Sequence, residues 1–256
     1  MNLALLLNFT KQDFVDRYSG SVLGALWAFI HPLVMIFIFT VIFANVMGVR
    51  LPGVSSVYSY GIYLVAGLLP WTAFSGTVIR ASTVFSDKKA IISKVSVSLP
   101  HLPLYIVLSE SLTFLIAMSI FLGFLVFTGA ELGRSLVLLP FVYVVQQILA
   151  FGLGLLFAVL NVFLRDVREM VSVLMVFWFW LTPIVWVKDI APAAVQAGQA
   201  QFNPAYFFIS AYQDIFVYGT TPDFGALIKL VLIAHGILLV SYLMLRSLEK
   251  DVRDFV

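Results

Sequence analysis

The sequence predicts an all-α integral membrane protein with six transmembrane helices. Apolar residues make up 62% of the 256 residues and formally charged residues only 11%. Long stretches, of which residues 135–164 are one, contain no formal charge. A helix needs about 20 apolar residues to cross the hydrocarbon core of a bilayer, and a soluble domain has no use for several such runs. We therefore expect a single membrane domain, residues 1–256, without a fused soluble enzyme domain.

Six runs of the sequence are apolar enough to be expected as spans. The third contains the carboxylate of Glu110, and the fifth is short and aromatic. The fourth is long enough to tilt or to project beyond the lipid. The predicted spans are residues 22–48, 57–79, 102–127, 136–164, 170–187 and 226–245.

Residues 1–20, which precede the first span, have the pattern of an amphipathic helix. One face carries Leu3, Leu6, Leu7, Thr10 and Phe14, and the charged residues lie largely elsewhere. This pattern predicts a helix in the membrane interface. A frayed, soluble N-terminus is the alternative.

The loop at 188–225, between the fifth and sixth predicted spans, contains an apolar segment that is too short to span the membrane. Its first part, residues 188–202, is polar, and residues 203–216 are apolar but interrupted by Asp214. Ten to fourteen apolar residues are too few to span a bilayer. We therefore expect a re-entrant or interfacial helical hairpin, which protein must cover or which must line a cavity.

The distribution of Lys and Arg predicts the orientation, because six spans put both termini on one side. If that side is the cytoplasm, 11 basic residues are cytoplasmic and 4 are external, which agrees with the positive-inside rule. The cytoplasmic set is Lys11, Arg17, Arg80, Lys88, Lys89, Lys94, Arg165, Arg168, Arg246, Lys250 and Arg253, and the external set is Arg50, Arg134, Lys188 and Lys229.

Several function classes lack their sequence signatures. The chain has no G-x-x-x-x-G-K-[ST], H-E-x-x-H or G-x-S-x-G motif, so neither nucleotide binding by a P-loop nor these hydrolytic activities are expected. It has no cysteine, and its three histidines are far apart, so no metal site is expected. A net charge of +2 gives no sign of nucleic-acid binding. We expect a transport subunit with no cofactor of its own.

Glu110 is the carboxylate that the predicted spans place inside the membrane. Such a residue is a functional candidate by default. A proton relay needs partners, however, and none is evident in the neighbouring spans. We expect a buried polar residue that is hydrogen-bonded to another helix, and a titrating role stays open.

The loop at 80–94, RASTVFSDKKAIISK, is predicted to be a short amphipathic helix on the cytoplasmic side. It is interpreted as a segment that docks into a groove on a cytoplasmic partner, whereas a basic loop on lipid headgroups is the alternative. Arg165, in the charged corner FLRDVREM, is assigned to the same contact. The residues expected to take part in coupling are Val84, Phe85, Asp87, Lys88, Lys89 and Arg165.

Four short elements, in this order, resemble those of the ABC-2-type permeases that export polysaccharides. They are RYSGSVLGALWAFIHPL (17–33), NVFLRDVREM (161–170), LTPIVW (181–186) and NPAYFFISAYQDIF (203–216). The likeness is greatest to the permease subunits of O-antigen exporters, and capsule and teichoic-acid exporters are near relatives.

The resemblance implies a homodimer that binds two copies of a separate ATPase, in which ATP and Mg²⁺ are bound. The N-terminal helix and the 80–94 loop would contact that ATPase. The substrate would be a lipid-linked polysaccharide, moved outward across the inner membrane of a bacterium during lipopolysaccharide biosynthesis. Its channel would be lined largely by the first and fifth spans.

Aromatic residues are the expected lining of that channel, because aromatic rings stack on the apolar faces of sugars. At about 100° per residue, the side chains of Phe177, Trp178, Phe179 and Trp180 point in four directions, so only one or two can face one pore. The residues expected in the pathway are Trp27, Phe177, Trp178, Trp180 and Tyr206.

Three alternatives share parts of this pattern. An ABC-2 permease for drugs or small lipids has the same topology. A proton-coupled transporter needs more intramembrane ionisable residues than Glu110. A membrane-embedded polysaccharide-processing enzyme needs a carboxylate or histidine cluster near an interface, and none stands out.

Overall fold

The computed structural model describes residues 3–42, 51, 58–94, 97–130 and 133–255, and this part of the chain is helical and contains no strand. The predicted all-α fold is confirmed. Residues 43–48 of the first predicted span and residue 57 of the second lie outside the described residues. Residues 1, 2, 49, 50, 52–56, 95, 96, 131, 132 and 256 lie outside them as well.

The described residues form eleven α-helices. They are α1 (Leu3–Asp16), α2 (Trp27–Phe37), α3 (Ser59–Ser82), α4 (Val84–Asp87), α5 (Lys89–Ile92), α6 (Leu104–Phe127), α7 (Leu139–Phe163), α8 (Val167–Leu181), α9 (Ala193–Phe202), α10 (Pro204–Gln213) and α11 (Phe224–Phe255). A single turn, Gly24–Leu26, leads into α2, and Ile38–Ile42 continues it.

Five helical stretches among the described residues are long and apolar enough to cross a membrane. They are Gly24–Ile42, Ser59–Ser82, Leu99–Phe127, Arg134–Phe163 and Phe224–Phe255. They correspond to the first four predicted spans and the sixth, so the chain is a multi-pass membrane protein.

The fifth predicted span is shorter than expected. Helix α8 has 15 residues, or about 22 Å at 1.5 Å per residue, against about 30 Å of hydrocarbon. It ends because Pro183 disfavours a helical conformation at the preceding residue, and Thr182 is accordingly extended with ψ 138°. Whether α8 crosses the bilayer stays a prediction.

Helix α3 is the most enclosed of the five stretches, and α6, α7, α8 and α10 pack around it. Small residues allow the closest approaches. A Cβ atom built on Gly154 of α7 would lie 2.5 Å from the Cβ of Ala81 on α3, and one on Gly152 would lie 3.0 Å from the backbone nitrogen of Leu238 on α11. Close contacts of this kind are how helices associate in membranes, where apolar burial gives little drive.

Helix α10 lies in the predicted re-entrant region and is surrounded by protein. Asn203 caps it by accepting a hydrogen bond from the backbone N–H of Ala205 at 3.0 Å, and Pro204 occupies the first position. Ala205 and residues 207–213 are buried against α3, α7 and α11. This covering is what a short helix at membrane depth requires. Its depth in the membrane stays a prediction.

Helix α1 packs on α6, with a buried face that differs from the predicted one. The inward side carries Leu6, Phe9, Thr10 and Asp13, whereas Leu3 and Leu7 are exposed. The predicted helix is confirmed. Its interfacial position relative to lipid stays a prediction.

Candidate functional site

Glu110 lies in a four-residue charge cluster that joins α1, α3 and α6. Its Oε1 accepts a hydrogen bond from Arg17 Nη2 at 2.8 Å and another from Arg80 Nη1 at 2.8 Å. Asp13 binds Arg80 through its Oδ1, and its Oδ2 lies 3.8 Å from Arg17 Nη2. The expectation that Glu110 has no charged partner is therefore wrong. The partners were missed because they come from the N-terminal segment and from the end of α3.

The position of each cluster member in the sequence explains how the four side chains come together. Asp13 lies in the last turn of α1, and Arg17 directly follows that helix, four residues after Asp13. Arg80 lies in the last turn of α3. Gly76, one turn before Arg80, leaves room for the carboxylate, because a Cβ atom there would lie 3.2 Å from the carboxyl carbon of Glu110. Each carboxylate thus has an arginine, and the cluster has no net charge.

The cluster is suited to holding three elements together. Its side chains are between 9% and 32% exposed, so solvent screens it only in part. Arg17 also donates to the hydroxyls of Ser109 and Thr113 on α6, at 3.3 and 3.1 Å. Removing one member of a buried charge pair is strongly destabilising because the other is left uncompensated. This arrangement favours the predicted hydrogen-bonded role of Glu110 over a proton relay.

A separate chain of uncharged hydrogen bonds joins α3, α6 and α7. Thr77 donates to Gln147 Oε1 at 3.1 Å, Gln147 Nε2 donates to the Tyr143 hydroxyl at 2.9 Å, and Tyr143 donates to Ser111 at 2.8 Å. The sequence pattern did not predict this network. The signal was the pair of glutamines, residues 146 and 147, in a run without charges.

Trp27 borders a cleft of about 440 Å³, whose lining is Arg17, Tyr18, Ser19, Ser21, Trp27 and His31. The Trp27 indole donates to the Ser21 hydroxyl at 2.9 Å, and its ring centroid lies 5.2 Å from that of His31. All six side chains carry a hydrogen-bonding group. The cleft can therefore hold water or a hydroxyl-rich ligand beside an apolar helix.

The aromatic run of α8 divides between two sides of the helix. Phe177 and Trp180 are 62% and 61% exposed and lie on one face. Trp178 points inward, where its ring packs on Trp71 and Phe74 and its N–H donates to Asn203 Oδ1 at 2.7 Å. Trp178 is therefore a packing residue in this conformation, in contrast to its assignment to the pathway.

The two other residues assigned to the pathway, Tyr206 and Trp27, lie on elements other than α8. Tyr206 is partly buried on α10, with its ring centroid 6.2 Å from that of Phe207. Trp27 lies at the cleft. The pathway roles of Trp27, Phe177, Trp180 and Tyr206 stay predictions.

The Pro-centred element 181–186 is held by side chains of α3 and α10. The Tyr63 hydroxyl donates to the carbonyls of Pro183 and Trp186 at 3.0 and 3.1 Å, and Gln213 Nε2 also donates to that of Pro183 at 2.9 Å. The Tyr60 hydroxyl donates to the Val185 carbonyl at 2.7 Å. These hydrogen bonds satisfy backbone carbonyls of a segment that is not helical. Such carbonyls need partners from the protein wherever water is excluded.

The 80–94 loop forms two short helices, and its apolar residues face the interior of the subunit. Val84 and Phe85 are 0% and 1% exposed and pack in a cluster with residues of α6, α7 and α11. They therefore do not offer the apolar contact that was predicted for a partner's groove. The amphipathic pattern correctly predicted helices, but their apolar side packs into the core of the chain itself.

The exposed side of this loop is polar. Asp87 accepts a hydrogen bond from the Thr83 hydroxyl at 2.7 Å, and Lys89 points outward. Lys88 is half-buried, with its Nζ 5.4 Å from the ring centroid of Tyr105. Arg165 is exposed on the loop between α7 and α8. The coupling role of these residues stays a prediction, with the polar side as the available contact surface.

Comparison with known proteins connects these elements to one family. Residues 5–217 match the family described as ABC-2 type transporter. An O-antigen export system permease protein RfbA of Klebsiella pneumoniae is 32% identical over 217 residues, which are 84% of this chain and 81% of the relative. One of Myxococcus xanthus is 26% identical over 253 residues, which are 98% of this chain and 95% of that protein. With this coverage and a multi-span helical fold, the chain belongs to the ABC-2 type transporter family.

Proposed function

We propose that this chain is the transmembrane subunit of an ATP-driven exporter that moves a lipid-linked, O-antigen-like polysaccharide outward across the inner membrane of a bacterium. The observation that carries the proposal is the extent of the likeness. Relatives named as O-antigen export permeases align with 84% and 98% of this chain. The alignments are long enough to include the cleft and the 80–94 loop together.

The proposed topology has six spans with both termini in the cytoplasm. Helix α8 would be the fifth span, extended beyond its 15 residues by the Pro-centred element. Helices α9 and α10 would form the hairpin on the external side. The basic residues support this orientation, with 11 on the proposed inner side and 4 on the outer side.

Two copies of the chain would form the pathway, with two copies of an ATPase beneath them. Helices α2 and α8 support this arrangement, because each leaves an apolar face uncovered in the single subunit. Phe29, Leu33 and Phe37 are exposed on α2, and Val173 and Phe177 on α8. These are the faces available to a second copy and to the polymer.

The physical task is to move a hydrophilic chain past about 30 Å of hydrocarbon. A wet conduit lined by hydroxyl and aromatic groups lowers that barrier, and the cleft at Trp27 has such a lining. ATP and Mg²⁺ would be bound in the partner. Closure of the ATPase would displace the 80–94 loop, and the charge cluster would pass the movement to α1, α3 and α6 together.

A deletion strain tests this function. Loss of the chain is expected to leave lipid-linked polymer inside spheroplasts, and a plasmid copy is expected to return it to the cell surface. The same plasmid should fail when the P-loop lysine of the ATPase is replaced. Normal surface polymer in the deletion strain, together with lost efflux of a drug or small lipid, would instead favour the alternative permease class.

A further inference from the structure

An apolar groove lies on the surface of the subunit between the first turns of α7 and α11. It has a volume of about 360 Å³. Its lining is entirely apolar and consists of Leu138, Phe141 and five residues between Phe224 and Leu232. Both helices belong to stretches that are long and apolar enough to cross a membrane. The groove therefore opens on the flank of two spanning helices, at the end that the proposed topology places outside.

The groove ends about halfway along the two helices. A Cβ atom built on Gly152 of α7 would lie 3.0 Å from the backbone nitrogen of Leu238 on α11, so the helices touch at this level. Gly152 follows Phe141 by about 16 Å of helix, at 1.5 Å per residue. The hydrocarbon core of a bilayer is about 30 Å thick. The groove therefore has about the depth of one leaflet.

The groove is continuous with an apolar face that runs along α11. Exposed side chains on this face are those of Phe224, Ile228, Leu232, Leu239 and Leu243. Their spacing keeps them within about 100° of the helix circumference and extends over about 29 Å, which is close to the thickness of the hydrocarbon core. This face is therefore the one that α11 presents to lipid.

The groove is too narrow for another helix. The helical length from Phe224 to Leu232 is about 12 Å, and a volume of 360 Å³ over that length gives a cross-section of about 30 Å² at this helical rise. An α-helix with a diameter of 10 Å occupies roughly 80 Å². The groove thus does not admit a spanning helix of a second copy, whereas a single hydrocarbon chain fits it.

Two opposite charges stand at the mouth of the groove. Arg134 begins the short turn Arg134–Leu138, whose last residue lines the groove, and Asp223 directly precedes Phe224. Both are exposed, and neither takes part in an ion pair among the described residues. Asp223 Oδ1 accepts a hydrogen bond from the backbone N–H of Gly225 at 2.8 Å, which holds the carboxylate at the start of α11. A carboxylate has further acceptor positions for a ligand.

We propose that this groove binds one molecule of phosphatidylethanolamine from the external leaflet. One acyl chain fills the groove, the phosphate accepts hydrogen bonds from Arg134, and the primary ammonium group donates to Asp223. Hydrogen bonds between charged groups of this kind are stronger than neutral ones. The inference goes beyond the proposed function, and only the choice of leaflet rests on the proposed topology.

The pair of charges distinguishes this lipid from others with the same acyl chains. Phosphatidylglycerol and a polyprenyl diphosphate are anionic, so each can pair with Arg134 but brings no cation to Asp223 and is repelled by it. Phosphatidylcholine carries a cation without N–H donors. Phosphatidylethanolamine alone among these supplies both an acceptor for the guanidinium group and a donor for the carboxylate.

Filling the groove tests where the lipid binds. The complex of this chain with its ATPase is purified in a mild detergent, and the lipid that each copy retains is counted by native mass spectrometry. Ile228→Trp places a larger ring in the groove at an exposed position, and Leu239→Trp is the matched control on the same face of α11 below the groove. We expect one phosphatidylethanolamine per copy in the wild type and the control, and an at least fivefold loss in Ile228→Trp.

Removing one charge tests which headgroup is recognised. Delipidated complex is titrated with phosphatidylethanolamine, phosphatidylglycerol or phosphatidylcholine, and the shift of the melting temperature reports binding. The wild type should prefer phosphatidylethanolamine at least fivefold. Asp223→Asn keeps the helix cap, because asparagine caps as well as aspartate does, but it should abolish this preference. Asp251→Asn, at an exposed position near the other end of α11, should keep it.

Three outcomes would overturn the inference. Equal binding of the three lipids to the wild type would mean an adventitious lipid only. Tighter binding of phosphatidylglycerol would mean a site for anionic lipid. If Ile228→Trp separates the copies of the chain while lipid retention is unchanged, a second copy covers the groove. Because binding is measured in detergent, an error in the proposed topology or in the transported substrate would leave these results unchanged, so the two kinds of failure are distinguishable.

Discussion

Arg80 Nη1 lies 2.8 Å from Glu110 Oε1 and joins the last turn of α3 to the early part of α6. The 80–94 loop connects these same two helices. The ion pair therefore connects the two helices that flank the loop, so that a force applied to the loop moves both helices together. Arg17 adds α1 to the same unit through its own bond to Glu110.

This ion pair predicts non-additive effects of substitution. Arg80→Gln and Glu110→Gln should each destabilise the purified chain by about 1–3 kcal/mol, less than a fully buried pair because Arg80 is partly exposed. The double variant should lose less than the sum of the two. Thermal unfolding in detergent of the wild type, both single variants and the double variant measures the coupling. Strict additivity would show that the pair contributes nothing to holding α3 and α6.

Helix packing predicts opposite outcomes at two glycines. Gly154→Ala puts a methyl group against Ala81, where the Cβ atoms would be 2.5 Å apart. Such overpacking should cost about 1–3 kcal/mol. Gly236→Ala on α11 meets nothing within 4 Å and should be neutral or slightly stabilising. Melting temperatures of the two variants check this. Equal values would mean that α3 and α7 are not in such close contact.

The two tryptophans of α8 are expected to differ. Trp178→Ala removes a partly buried ring and its bond to Asn203, so it should lower stability by about 3–5 kcal/mol and reduce the amount of protein. Trp180→Ala changes an exposed ring and should leave protein levels unchanged. If Trp180 belongs to the pathway, polymer export slows at normal protein level. Quantitative blots and surface polymer, measured together, separate packing from transport.

The absence of cysteine makes the orientation directly measurable. A single cysteine at Ala200, on the exposed α9, should react with an impermeant thiol reagent added to intact cells. One at Ser86, in the 80–94 loop, should react only after the membrane is opened. The reverse pattern of labelling would contradict the proposed topology.

The sequence was sufficient for the parts of the fold that depend on local composition. Unbroken apolar runs placed five spanning stretches, and the amphipathic patterns placed α1 and the helices of the 80–94 loop. The side that each short helix buries was not predictable, because it depends on contacts between distant segments. Phe85 illustrates this, since its pattern fits both an external groove and the subunit's own core.

The charge cluster shows the same limit for the candidate site. Glu110 stood out as an intramembrane carboxylate, but Arg17 is 93 residues away in the chain. Its pairing depends on how α1 folds back on α6.

Transport in a defined system tests the central claim most directly. Inside-out vesicles that contain this chain and its ATPase are supplied with lipid-linked polysaccharide and an endoglycosidase that cannot enter them. ATP is expected to protect the polymer from cleavage by moving it into the lumen, and vesicles without this chain should show no protection. Polymer that remains fully cleavable with ATP, in vesicles whose complex hydrolyses ATP, would contradict the account.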